Sequence, residues 1–316
     1  MGKMGHIEAC LRTDTGLVRG HNEDFVYAWE PKSQETAKKN GWLYIIADGV
    51  GGADAGEVAS QYTSERMTTH YLESDEEDWG QRIYESMQWA NTDLRRMVAE
   101  RDSNTRMATT MVAAVIHGDK ASLGNVGDSR AYHWRKGHMY QITKDQSLVA
   151  KLVEEGAITE EEAEVHPRRN VILYSLGSER KPQIDIYELD LVQGDILILC
   201  SDGLTRHVSN EEISKIISKY PPTSSADRLV RLANNRGGED NISVAVIHYG
   251  RSQPEPIANA INGQTAKVIP SNTAVSQANI AAQITSQNRR LLWFYTIGLA
   301  LIMAFLIFLV WFILRI

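Results

Sequence analysis

Short apolar runs separated by turn residues dominate the first 249 positions of the chain. Residues 7–12, 25–29 and 42–47 are rich in β-branched or aromatic side chains between turn signals, and they predict strands. Residues 58–72 and 79–98 carry a longer period. In the second stretch Ile83, Met87, Ala90, Leu94 and Met97 recur at spacings of four and three, the core-facing side of an amphipathic helix. Strands follow at 109–116, 121–126, 130–134 and 138–142, then a helix at 147–155 and an irregular stretch around 166–170. Two more strands at 184–189 and 196–200, short helices at 211–218 and 226–234, and a strand at 242–248 complete the pattern. Strands fall in hairpin-spaced groups and helices in pairs, which predicts helices packed outside antiparallel sheets rather than a parallel βαβ array.

The pattern changes after residue 249. Residues 250–288 shift to Ser, Asn, Gln, Ala and Pro with neither strand nor helix period, the composition of a flexible linker. Residues 291–314 form an uncharged apolar run. At 1.5 Å per residue a helix of that length covers about 36 Å, enough to cross a bilayer with some tilt. Trp293, Phe294 and Tyr295 near one end and Trp311 and Phe312 near the other match interfacial aromatic belts. Arg289 and Arg290 on the inner flank favour a cytoplasmic body, and the N-terminus carries no apolar signal stretch. The expected organisation is therefore a catalytic body at 1–249, a linker at 250–288 and a single-pass tail anchor at 289–316, in the inner membrane.

Composition narrows the chemistry. A net charge of −7 over 316 residues leaves no domain-wide basic surface for nucleic acid. Acidic runs at 73–78 and 160–162 read as solvated helix ends or loops. Cys10 and Cys200 lack metal or disulfide spacing, which predicts buried hydrophobes in a reducing compartment.

Three aspartates stand out: Asp48 after an apolar strand and before Gly49, Asp202 likewise before Gly203, and Asp240 just before the last strand. Carboxylates on strand ends point from rigid elements into a loop-lined cleft, where hard divalent cations find oxygen ligands. The adjoining glycines let a backbone carbonyl come close enough to join them. The pattern suggests a two-metal hydrolase.

Taken in order, Arg19 to Asp24, Asp48 to Gly52, Gly124 to Arg130, Ser201-Asp202-Gly203 and Glu239-Asp240-Asn241 resemble the motifs of the metal-dependent protein phosphatases of type 2C, in their bacterial form. The resemblance spans about residues 6–249. It implies an α+β fold, a four-layer α-β-β-α sandwich of two antiparallel sheets flanked by helices, to which the anchor adds one transmembrane helix. It also implies that Asp48, the Gly49 carbonyl, Asp202 and Asp240 bind two Mn or Mg ions bridged by a water that attacks phosphorus directly. Asp128 resembles a ligand of a third, weaker ion shared with Asp202, Glu23 and Asp24 act through waters, and Asn241 supports the shell. Arg19 is the natural phosphate anchor, since a guanidinium fork matches two phosphate oxygens.

Two positions depart from the family pattern. Val50 stands where animal members carry a proton-donating His, so no general acid is assigned. Gln146 stands where bacterial members often have His, and it cannot carry a proton. The stretch 148–176 matches the family's flap, where Arg168 and Arg169 are candidates to meet a phosphopeptide. The expected activity is hydrolysis of phosphoserine and phosphothreonine on proteins, against a serine/threonine kinase. A membrane-anchored pseudophosphatase serving as a binding module is the alternative.

Overall fold

The computed structural model describes residues 7–51, 55–101 and 106–250. The expected linker and membrane anchor lie outside them, and among the described residues no helix is long and apolar enough to cross a membrane. Among the described residues, eleven strands are arranged in two antiparallel sheets. The first sheet has the order β1 (Ile7–Asp14), β11 (Ile242–Tyr249), β10 (Asp195–Cys200), β7 (Arg130–Arg135) and β8 (His138–Gln141). The second has the order β2 (Asp24–Trp29), β3 (Trp42–Gly51), β5 (Met111–His117), β6 (Lys120–Val126) and β9 (Asp185–Asp190), with the short β4 (Met107–Thr109) paired to β3.

Alternation along the central strands explains the layering. In β3, Leu43, Ile45 and Ala47 face helices α2 (Ala55–Glu73) and α3 (Trp79–Arg101), meeting Met67, Tyr71, Ile83, Met87 and Ala90. The intervening Tyr44 and Ile46 face the other sheet, against Leu197, Leu199, Ala245 and Ile247. The same period-two division sends Ile196, Ile198, Val244 and Val246 outward to Ile213 and Ile217 of α7 (Asn210–Ile217) and to Leu229 and Ala233 of α8 (Pro222–Asn235). Strands with two buried faces need apolar residues at every position, which is why they appear in the sequence as unbroken runs. Each Leu or Ile fully buried in these interfaces contributes about 1.5–3 kcal/mol.

Several boundaries differ from the sequence expectation. The run at 109–116 is two strands, because the chain breaks at Thr110 to donate its N–H to the Asp48 carbonyl at 2.8 Å, while Thr109 turns to bridge Leu176. Asp48 lies within β3, which continues to Gly51, rather than at its end. Three short helices have too few residues to show a period: α1 (Gln34–Asn40), α5 (Glu160–Glu164) and α6 (Asp202–Thr205). The first two are closed by capping boxes at Ser33 and Thr159. The remaining helix, α4 (Leu148–Glu154), has Ser147 as its N-cap.

Candidate active site

The aspartates collect at one end of the two sheets. Register places Asp24 opposite Asp48 across the β2–β3 pair. Asp202 follows β10 as the first residue of α6, and Asp240 precedes β11, the antiparallel neighbour of β10. Asp128 sits in the turn between β6 and β7. Burial pushes the Asp48 carboxyl far above its usual range, and the charges of Asp24, Asp202, Asp128 and Asp240 push it further. Asp24 and Asp128 are each lifted to about 7, again mainly by burial. Asp202 is raised by burial, against the pull of Arg206. The buried carboxylates of Asp24, Asp48, Asp128 and Asp202, all raised by loss of water, persist as anions only if cations join them.

The oxygen atoms agree with that requirement. Asp24 Oδ1, Asp128 Oδ1 and Asp202 Oδ1 are buried without a hydrogen-bond partner. An all-oxygen donor set suits Mg or Mn. Among the described residues no three His, Cys, Asp or Glu side chains suffice by themselves to hold an ion. Gly49 admits no side chain: a Cβ on it would lie 2.2 Å from the Gly56 carbonyl oxygen and 2.6 Å from that of Glu23, so only glycine packs there.

The supporting residues are tied to the same backbone. Glu23 donates its N–H to Asn241 Oδ1 at 2.8 Å and accepts the Gly49 N–H and the Ser60 hydroxyl on its carbonyl. The Glu23 side chain lies against Gly56 in the first turn of α2. Asn241 also donates to the carbonyls of Thr15 and His21, both at 2.9 Å, clamping the loop that carries Arg19. Arg19 meets Asp240 in a two-toothed contact, Nε on Oδ1 and Nη2 on Oδ2, both 2.9 Å, with its side chain about half exposed.

Other sequence readings resolve variously. Val50 is exposed beside Gly49. Gln146 is buried and spans two loops, accepting the Gly127 N–H at 2.8 Å and donating to Asp185 Oδ2 at 2.7 Å. Its role is to hold the Asp128 turn, a task that needs an amide's donor and acceptor rather than a titrating ring. Arg168 and Arg169 are exposed beyond α5. Cys10 and Cys200 are buried and unpaired, and burial lifts the Cys200 thiol to about 12, so neither is a ready nucleophile.

One site residue escaped the sequence reading. Arg206, one helical turn after Asp202, bonds to its Oδ2 and lies 3.4 Å from Asp240 Oδ2. The Asp-to-Arg spacing of four at the start of a helix was the available signal.

Known proteins match most of the described residues. The protein phosphatase 2C family profile matches residues 22–242. The serine/threonine protein phosphatase PstP of Mycobacterium tuberculosis is 37% identical over 279 residues, which cover 86% of this chain but 51% of PstP, so the chain spans about half the length of that relative. The serine/threonine phosphatase stp of Listeria innocua is 37% identical over 255 residues, 78% of this chain and 98% of the relative. The crystal structure of the PstP catalytic domain in complex with two manganese ions superposes with a TM-score of 0.66 at 35% identity, over 78% of this chain and 99% of that one.

Proposed function

The chain belongs to the protein phosphatase 2C family, and on that premise we propose that it is a serine/threonine phosphatase removing phosphate from phosphoserine and phosphothreonine on proteins. The observation that carries the reading is the gathering of Asp24, Asp48, Asp128, Asp202 and Asp240 beneath a rim that holds Arg19. Two Mn or Mg ions bound by Asp48, the Gly49 carbonyl, Asp202 and Asp240 would supply an activated water and offset charge on the phosphoryl oxygens. The manganese pair in the mycobacterial catalytic domain supports that pairing.

The chain's own residues do the positioning. Arg19 exchanges its contact with Asp240 for two oxygens of an incoming phosphate, as its planar fork allows. Asn241 fixes the Arg19 loop and the Glu23 backbone together, so the phosphate anchor and the metal cradle keep one spacing. Asp24, buried against Ser201, holds negative charge below the cluster. No covalent step is assigned to any side chain, and the buried thiols of Cys10 and Cys200 take no part.

Residues 291–314 are proposed as a membrane span that confines the body to the cytoplasmic face, opposite a serine/threonine kinase acting on the same substrates. Support comes from the length and aromatic flanks of that apolar run and from the higher effective concentration that tethering gives.

The full-length protein in detergent, assayed on a phosphothreonine peptide with Mn, tests the activity. Turnover that survives a chelator, or that is unchanged in Asp202→Ala, sinks the two-metal reading. Peptide binding without turnover points instead to a regulatory module. Recovery of the intact chain in the soluble fraction of lysed cells overturns the membrane span.

A further inference from the structure

Leu17 and Val18 stand immediately before Arg19, and each is 69% exposed, more than any other large apolar side chain of the described residues except Val165. Their backbone is nevertheless fixed. Both amides donate to the Gly238 carbonyl, Leu17 at 2.8 Å and Val18 at 3.3 Å. Gly16, one residue earlier, lies so close to the same loop that a Cβ on it would sit 2.2 Å from the Asp240 carbonyl oxygen. Asp14 Oδ1 closes the turn, accepting the Gly16 N–H at 2.9 Å and the Asn234 side-chain amide at 3.0 Å. Asn241 holds the segment again at the carbonyls of Thr15 and His21. The Leu17 side chain leans over the loop that leads to Asp240: a Cβ on Gly238 would lie 3.1 Å from Leu17 Cγ. Two apolar side chains are thus held in solvent beside the guanidinium that grips Asp240.

A single exposed leucine needs no explanation, but a fixed adjacent pair next to a phosphate anchor does. What covers the pair follows from Arg19. Consecutive Cα atoms are about 3.8 Å apart, so Val18 and Leu17 lie within about 8 Å of the Arg19 backbone. In a bound peptide, the residues one and two places from the phosphoresidue lie within the same distance of it. Resting on the phosphatase reading above, we propose that Leu17 and Val18 form an apolar shoulder selecting phosphopeptides with a large apolar side chain within two positions of the phosphoserine or phosphothreonine. Arg19 takes the phosphate and the shoulder takes its neighbour. Burying that neighbour removes apolar surface from water on both partners. The contact is made to a side chain that does not react, so it strengthens ground state and transition state alike, and it lowers KM rather than raising kcat.

The test is steady-state kinetics of the full-length protein in detergent with Mn, on five phosphothreonine peptides. One has serine at both positions on either side of the phosphoresidue, and each of the others replaces one of those four serines by leucine. At least one leucine peptide is expected to exceed the all-serine peptide about tenfold in kcat/KM, with the gain in KM. Leu17→Ser with Val18→Ser is expected to turn over all five alike, and each single variant to lose part of the preference, which keeps the test open if the double variant does not fold. Val192→Ser removes an apolar side chain exposed in the turn before β10, at the strand end opposite Asp202, and is expected to keep the wild-type preference. Equal kcat/KM for all five peptides in the wild type overturns the proposal while the phosphatase reading stands. So does a leucine preference that persists in the folded serine variants or is lost equally in Val192→Ser. A wild type that turns over none of the peptides overturns both.

Discussion

Ser201 donates its hydroxyl to Asp24 Oδ2 at 2.7 Å, joining the end of β10 in one sheet to the start of β2 in the other beneath the aspartate cluster. Both residues are buried, and the same hydroxyl accepts the Ser243 N–H at 3.0 Å. Ser201→Ala removes a donor from Asp24 and the side-chain acceptor of the Ser243 N–H, at a cost of about 1–3 kcal/mol. A lower melting temperature is expected, by about 2–4 °C per kcal/mol for a domain of this size, with weaker Mn binding alongside. Unchanged melting in calorimetry would show that the two sheets are not held together here.

Gly49→Ala tests the metal cradle. The added methyl meets backbone oxygens of Gly56 and Glu23, neither of which can turn aside as a side chain would. Overpacking of this kind costs about 1–3 kcal/mol, and the displaced carbonyl should cost Mn affinity as well. Wild-type Mn titration in the folded variant would remove the Gly49 carbonyl from the ligand set.

Protonation sets a pH dependence in the absence of metal. Asp24 and Asp128 titrate near 7 in the folded protein, and Asp48 and Asp202 are raised too, all against an unfolded value near 4. The folded state then binds more protons than the unfolded chain between those values, so stability falls as pH rises from about 4 through 7. Chelator-treated protein should melt higher at pH 5.5 than at pH 8, and added Mn should reverse the order. A chelated protein that is more stable at pH 8 would contradict the burial of these carboxylates.

Arg19→Ala should lower kcat/KM on a phosphopeptide about 10- to 100-fold, the range for losing a charge-assisted bond of about 1.5–3 kcal/mol. Arg19→Lys should recover only part, because an ammonium cannot grip two oxygens in one plane. Full rescue by lysine, read in steady-state kinetics, would reduce Arg19 to a point charge.

Gln146→Ala leaves the buried Gly127 N–H without its acceptor, and should lower stability by about 1–3 kcal/mol. Gln146→Glu keeps the acceptor but faces Asp185, so its melting point should drop more at pH 8 than at pH 5. Equal losses for Gln146→Glu at both pH values would mean that Asp185 does not face the new charge.

Much of this protein is legible in its sequence because its information is local or periodic. Leu43 to Ala47 and Val244 to Ile247 are unbroken apolar runs because both faces of their strands are buried, and the Asp-Gly pairs at 48 and 202 mark sites where backbone must approach backbone. The helix α3 shows its buried face as a spacing of three and four. The short helices α1, α5 and α6 leave no such trace, since one or two turns are too few for an apolar spacing to recur.

Tertiary structure alone decided the relations between distant residues. No pattern along the chain brings Ser201 to Asp24, Asn241 to His21, or Gln146 to Gly127, since each contact depends on two layers meeting. Arg206 lies between these cases. Its spacing from Asp202 is written in the sequence, but its approach to Asp240 arises only because β10 and β11 are neighbours. The sequence by itself determined which side chains carry charge and which strands are buried on both faces, because hydrophobic burial acts residue by residue. How the charges of Arg19 and Arg206 are shared among the aspartates was decided by the packing of the two sheets, because electrostatic energy depends on distances through space.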